Sequence, residues 1–153
     1  MKTSSILKVM AAILIAPSVL CAASNPVTPE MSGHWEGKAQ IIVSWTVQRT
    51  LPVSIDIKSD GTVTGKVGDA SLANARFKRN RGWLGRKLNL KTDYIITGDL
   101  KGAVIAAEGI NRKGVMMPLN FSSNAFKGAV HTSGTHVGNK QRMVLSAGVT
   151  LTP

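Results

Sequence analysis

Residues 33–47 read Gly-His-Trp-Glu-Gly-Lys-Ala-Gln-Ile-Ile-Val-Ser-Trp-Thr-Val. The odd positions hold Gly33, Trp35, Gly37, Ala39, Ile41, Val43, Trp45 and Val47, against His34, Glu36, Lys38, Gln40, Ile42, Ser44 and Thr46 at the even ones. A period of two sustained this long gives a β-strand one face in a core and one in water. Gly37 offers a place for so long a strand to bend. After a turn at 48–50 the alternation resumes, with Leu51, Val53, Ile55 and Ile57 predicted inward and Ser54, Asp56 and Lys58 outward. Asp60-Gly61 is a hairpin signal, and Val63, Gly65 and Val67 share the inner face of the returning strand. Three strands of an antiparallel meander follow from these residues.

Downstream, 68–75 carries a weaker strand pattern, and the basic residues of 76–87 read as a loop or hairpin containing Gly82 and Gly85. A short strand is predicted over 88–92. Tyr94, Ile96, Gly98 and Leu100 then face inward. Lys101-Gly102 turns the chain into a segment over 103–110, and 111–114 turns it back. Val115, Met117, Leu119 and Phe121 form the next inner face, with Pro118 outward as the mark of an edge or a bulge. Phe126, Gly128 and Val130 make a short strand, 131–140 reads as a Gly, Ser and Thr-rich loop, and Met143, Leu145, Ala147, Val149 and Leu151 line the last strand. No segment has a 3.6-residue period. The predicted class is all-β, a single antiparallel up-and-down β-barrel of about 8–10 strands over 33–153, with a two-sheet β-sandwich as the alternative. Closure is favoured because it removes exposed strand edges.

The 153 residues suit one domain. Lys2 and Lys8 precede the apolar run 9–16, and Cys21-Ala22-Ala23 supplies small residues at the cleavage positions of a secretory signal peptide, predicted over 1–23. The run is too short to span a bilayer and Pro17 interrupts it. A lipoprotein site at Cys21 would want a small residue where Leu20 stands, which favours ordinary cleavage. The expected product is exported, periplasmic or secreted, and has no cysteine, so its core alone must hold it. Residues 24–32, with Pro26 and Pro29, are expected to form an extended N-terminal arm.

The formal charge of +11, less Lys2 and Lys8, leaves +9 after cleavage. Such a field favours anionic partners. The densest source is 76–87, where Arg76, Lys78, Arg79, Arg81, Arg86 and Lys87 surround Phe77 and Trp83, with no acid between Asp69 and Asp93. Interleaved cations and aromatics can bind single-stranded nucleic acid by phosphate contact and stacking. They can equally bind an anionic envelope component, with Trp83 at the interface. The structural alternative is a solvated hairpin whose Trp83 closes one end of the core. For an exported chain the envelope outranks nucleic acid.

Catalysis is the weakest class. Glu30, Glu36, Asp56, Asp60, Asp69, Asp93, Asp99 and Glu108 fall mostly in turns or on wet faces, with no context that pairs an acid with a base. No phosphate-binding glycine loop joins a strand to a helix. No catalytic residue, cofactor or metal site is assigned, and His131 and His136 read as exposed loop residues rather than ligands joined by His34. The inner faces carry Trp35, Trp45, Met117, Phe121, Phe126 and Met143 beside Gly37, Ala39, Gly65, Gly98, Gly128 and Ala147. Small residues there either leave a cup for one ligand or relieve crowding in a filled centre.

Gly33-His34-Trp35 resembles the Gly-x-Trp motif that opens the first strand of lipocalins, and Thr92-Asp93-Tyr94 is similar to that family's second motif. Thr97 stands where lipocalins often carry a further tyrosine. Arg142 is a candidate for the late arginine that stacks on the Trp, whereas Arg112 lies in a predicted turn. The resemblance implies an antiparallel barrel with an internal cup sealed at one end by the Trp. The expected function is non-enzymatic binding of a small amphiphilic or anionic ligand. The alternative is an envelope-interaction or inhibitor protein acting through its basic outer surface.

Overall fold

The computed structural model describes residues 26–43, 47–81 and 91–153. Eight strands follow in order: β1 Gly33–Val43, β2 Thr50–Ile57, β3 Thr62–Val67, β4 Ala70–Arg79, β5 Tyr94–Lys101, β6 Ile110–Ser122, β7 Ala125–His136 and β8 Arg142–Leu151. Each pairs antiparallel with the next, and β8 returns to β1, so the sheet is a closed up-and-down barrel. The sandwich is thereby excluded. The alternation read from 50–57 is the one observed, with Leu51, Val53, Ile55 and Ile57 buried and their neighbours wetter. At the β2–β3 turn, Gly61 takes φ +80°, a left-handed conformation that glycine adopts without Cβ strain. Asp60 accepts hydrogen bonds from the Thr62 amide and hydroxyl, both at 2.8 Å.

One end of the barrel is closed around Trp35, which is 2% exposed. Its Nε1–H donates to the Met31 carbonyl at 3.1 Å, and its ring meets Phe126 edge-on at 4.7 Å and Phe121 at 5.8 Å. Met31 ends a 3-10 turn, Pro29–Met31, and is buried together with Val27. Residues 26–32, expected as an extended arm, therefore fold over this end and contribute to the core.

The opposite end is closed by the connection between β5 and β6. Val104 and Ile105 are buried there, and the 3-10 turn Ala106–Glu108 brings Glu108 to Arg112. Arg112 Nη2–H donates to Oε2 at 3.0 Å and Oε1 at 3.2 Å, and Nε–H donates to Oε2 at 3.1 Å. Both side chains are sealed from water, at 0% and 3% exposure. Arg112 thus caps the end remote from Trp35 and does not stack on it.

Four sequence expectations are corrected. Residues 111–114 are not a turn: they lie within β6, and Arg112 occupies an inner position. Residues 131–136 are not loop but the second half of β7, so the β7–β8 connection is shorter than expected. Pro118 marks no edge, since β6 has neighbours on both sides. It pairs with Ile95, and its carbonyl lies so close to Gly128 that no Cβ fits there. Finally, the basic stretch is not wholly a loop. Its first four residues end β4, where the alternation is reset by a bulge at Asn74 (φ 52°), so that Ala75 and Phe77 turn inward. Of the strand predicted over 88–92, residues 88–90 lie outside the described residues, and Lys91 and Thr92 are not strand.

Candidate functional site: the basic end of the barrel

The inner face of the barrel is closely packed among the described residues. Met117 and Phe126 are fully buried, and Phe121 packs against them at the rim of the core. Leu51, Ile55, Ile96 and Leu145 also have no exposure. A water-filled cup would leave these inner side chains accessible to a probe the size of water. Small inner residues instead let neighbouring backbone approach: a Cβ at Gly98 would collide with Ala75. Met143 is half-buried near the Arg112 end, and its carbonyl accepts a bond from Arg112 at 3.4 Å. Trp45 lies outside the described residues.

The basic stretch divides into three parts. Phe77 is buried, stacking on Tyr94 at 5.0 Å and meeting Phe126 at 5.7 Å. Its alternate neighbours Arg76 and Lys78 consequently point outward. Arg76 is tied to the β2–β3 turn: its Nη1–H donates to the Thr62 hydroxyl at 2.7 Å, and the Asp60 carboxylate lies 4.0 Å away. Those contacts, led by the Thr62 hydrogen bonds, hold the Asp60 carboxyl below its ordinary value. Lys78, Arg79 and Arg81 are exposed, with no side-chain partner among the described residues. Trp83, Arg86 and Lys87 fall outside the described residues.

Two asparagines fix the base of the β4–β5 connection. The Asn80 amide donates to the Asp93 carbonyl, and its Nδ2–H donates to the Thr92 hydroxyl, both at 2.8 Å. From β6, Asn120 Oδ1 accepts the Asp93 amide at 2.8 Å, and its Nδ2–H donates to the Lys91 carbonyl at 3.2 Å. Thr92-Asp93-Tyr94 thus anchors the connection and leads Tyr94 onto Phe77. Sequence reasoning missed both asparagines. Asn80 lies just past the end of β4 and Asn120 on β6, forty residues apart in sequence, so nothing local announced that they meet at this connection.

The carboxylates do not converge on a reacting centre. Asp56 lies 3.0 Å from His34, Asp99 accepts from Asn74 at 2.9 Å, and Glu108 is buried on Arg112. Among the described residues no three His, Cys, Asp or Glu side chains group to hold a metal ion. His131 faces outward on β7, its Nδ1 2.8 Å from the Ser146 hydroxyl, and burial pushes its pKa below the usual 6.5. Below pH 6.5 the unfolded chain takes up this proton before the folded one does, so stability is expected to fall as pH drops from 6.5 toward the folded-state value and to be complete above 6.5. An NMR titration of the His131 ring should give a midpoint below 6.5; one at or above it would mean that the ring is fully hydrated.

Fold and site together define a closed eight-stranded up-and-down barrel, its inner side chains buried among the described residues, with a cationic rim beside the Trp35 end. No protein-family model, curated protein or solved structure matches the chain.

Proposed function

We propose that the chain is a non-enzymatic binding protein, lipocalin-like in architecture, that recognises an anionic component of the cell envelope through the basic end of its barrel. The observation that carries this reading is the contrast between inside and outside. Leu51, Ile55, Ile96 and Leu145 are fully buried inside, whereas Lys78, Arg79 and Arg81 stand exposed on a base held by Asn80 and Asn120. Recognition therefore moves from an internal cup to the outer surface. Export, expected from residues 1–23, would bring that surface to anionic head groups, and Trp83 supplies an interfacial side chain within the same stretch. The engaged carboxylates support binding over catalysis.

The test is co-sedimentation with vesicles of phosphatidylglycerol and phosphatidylcholine. A basic side chain near an anionic bilayer contributes about 1 kcal/mol. Changing Lys78, Arg79 and Arg81 together to Ser is expected to weaken binding roughly 100-fold at low salt. The barrel should stay folded, because these side chains are exposed. Unchanged vesicle binding by the folded triple variant would overturn the reading.

A further inference from the structure

On the outer face of β6–β8, away from the basic end, three cross-strand rows lie side by side. Asn111, Thr135 and Arg142 form the first; Asp99, Gly114, Ser133 and Val144 the second; Thr97, Met116, His131 and Ser146 the third. Gly114 leaves the second row without a side chain at its middle, which makes the face concave. The result is two adjoining hollows that share Ser133 and Arg142, one of about 460 Å³ and one of about 610 Å³.

Their linings differ in chemistry. The smaller hollow has two cations, Lys113 and Arg142, together with the Ser133 and Thr135 hydroxyls and the Asn111 amide, and no carboxylate. Neither cation has an ion-pair partner among the described residues. The larger hollow is lined by polar groups, among them Asn74, Thr97, Asp99 and His131, and carries apolar surface at Met116 and at Val144, 46% exposed. Asp99 stands at its far side, three strands from Val144, which is roughly 14 Å at ordinary strand spacing.

We infer that this groove is a binding site for an anionic amphiphile, its head held by Lys113, Arg142 and the neighbouring hydroxyls and its apolar body lying across Gly114 against Met116 and Val144. Guanidinium and ammonium groups favour a carboxylate or phosphate head, with Arg142 offering a planar fork of donors. The exposed apolar side chains gain by being covered. The site shares no residue with Lys78, Arg79 and Arg81, and the two proposals stand or fall separately.

The test is NMR titration of the full chain with dodecanoate below its micelle concentration. Saturable shifts are expected at the Gly114, Ser133 and Thr135 amides. Lys113→Ala with Arg142→Ala is expected to weaken binding at least tenfold, while Lys78, Arg79 and Arg81 changed to Ser should leave it unchanged. Gly114→Val offers an independent check. A Cβ at Gly114 meets only the Gly98 carbonyl oxygen at an ordinary 3.7 Å, so the variant should fold while its side chain fills the groove and blocks binding. Saturable binding untouched by both the double variant and Gly114→Val would overturn the site. Equal affinity for acetate and dodecanoate would overturn the ligand class.

Discussion

Glu108→Gln is expected to destabilise the barrel by about 3–5 kcal/mol, among the largest losses available to a single substitution in this chain. The reason lies in the surroundings of Arg112. Its guanidinium is sealed from water, and three N–H···O contacts of 3.0–3.2 Å join it to the Glu108 carboxylate. The Thr132 and Met143 carbonyls add longer contacts at 3.5 and 3.4 Å. Removing one charge leaves the other buried without its counterion, and a neutral amide does not replace it. Replacing both partners with apolar residues, Arg112→Met with Glu108→Leu, should by contrast be nearly neutral or stabilising, because desolvation of the two ions disappears along with their attraction. Urea unfolding of the three chains checks this. A loss below about 1 kcal/mol for Glu108→Gln would mean that water reaches the pair.

At the other end, Trp35→Ala is expected to cost about 3–5 kcal/mol. Truncation removes the ring from between Phe121 and Phe126 and leaves a void whose walls are held by β1, β6 and β7. It also abandons the Met31 carbonyl, which Trp35 satisfies at 3.1 Å. Trp35→Phe separates the two contributions: it keeps most of the buried ring and should lose only about 1–2 kcal/mol through the hydrogen bond and reduced volume. Urea midpoints for both variants give the comparison. A loss below about 1 kcal/mol for Trp35→Ala would mean that the 3-10 turn Pro29–Met31 collapses into the vacated space at little cost.

The parts of the fold legible in the sequence are those where one face is purely apolar. In β1 through β3, Trp35, Ala39, Leu51, Val53, Ile55, Ile57, Val63 and Val67 were identifiable as inner residues, whereas Val47, expected on the same face as Trp35, lies beyond the end of β1 and is 95% exposed. Legibility ended where the pattern was interrupted for a physical reason. Arg112 is a charged residue in an inner position, and only Glu108, four residues earlier on a different element, makes that tolerable. Nothing in the alternation announces such a pair, so 111–114 looked like a turn. Thr132, Ser133 and Gly134 carry loop composition, yet they sit between β6 and β8, where backbone pairing outweighs propensity. The bulge at Asn74 shifted the phase of β4 by one residue, which hid the inward set Ala75 and Phe77 beneath the charges around it. For the site, the cationic residues were visible as composition, but their separation was not. Sequence alone could not distinguish Arg76, spent on Thr62 and Asp60, from the uncommitted Lys78, Arg79 and Arg81. This outer groove was invisible because its parts come from several strands, β4 to β8, and meet only through their register.

The seam between β1 and β8 bears on how the molecule comes into being. Gln40 and Ile41 pair with Gly148 and Ala147, and Glu36 bridges Thr152, so the first strand waits for the last before either has both its neighbours. Until that junction forms, the chain is an open sheet with two sticky borders, and the Trp35 end has only part of its packing. Assembly is therefore a late event that depends on distant segments meeting, which slows it relative to local hairpin formation. Once it has formed, the closed barrel presents no border on which another strand can grow.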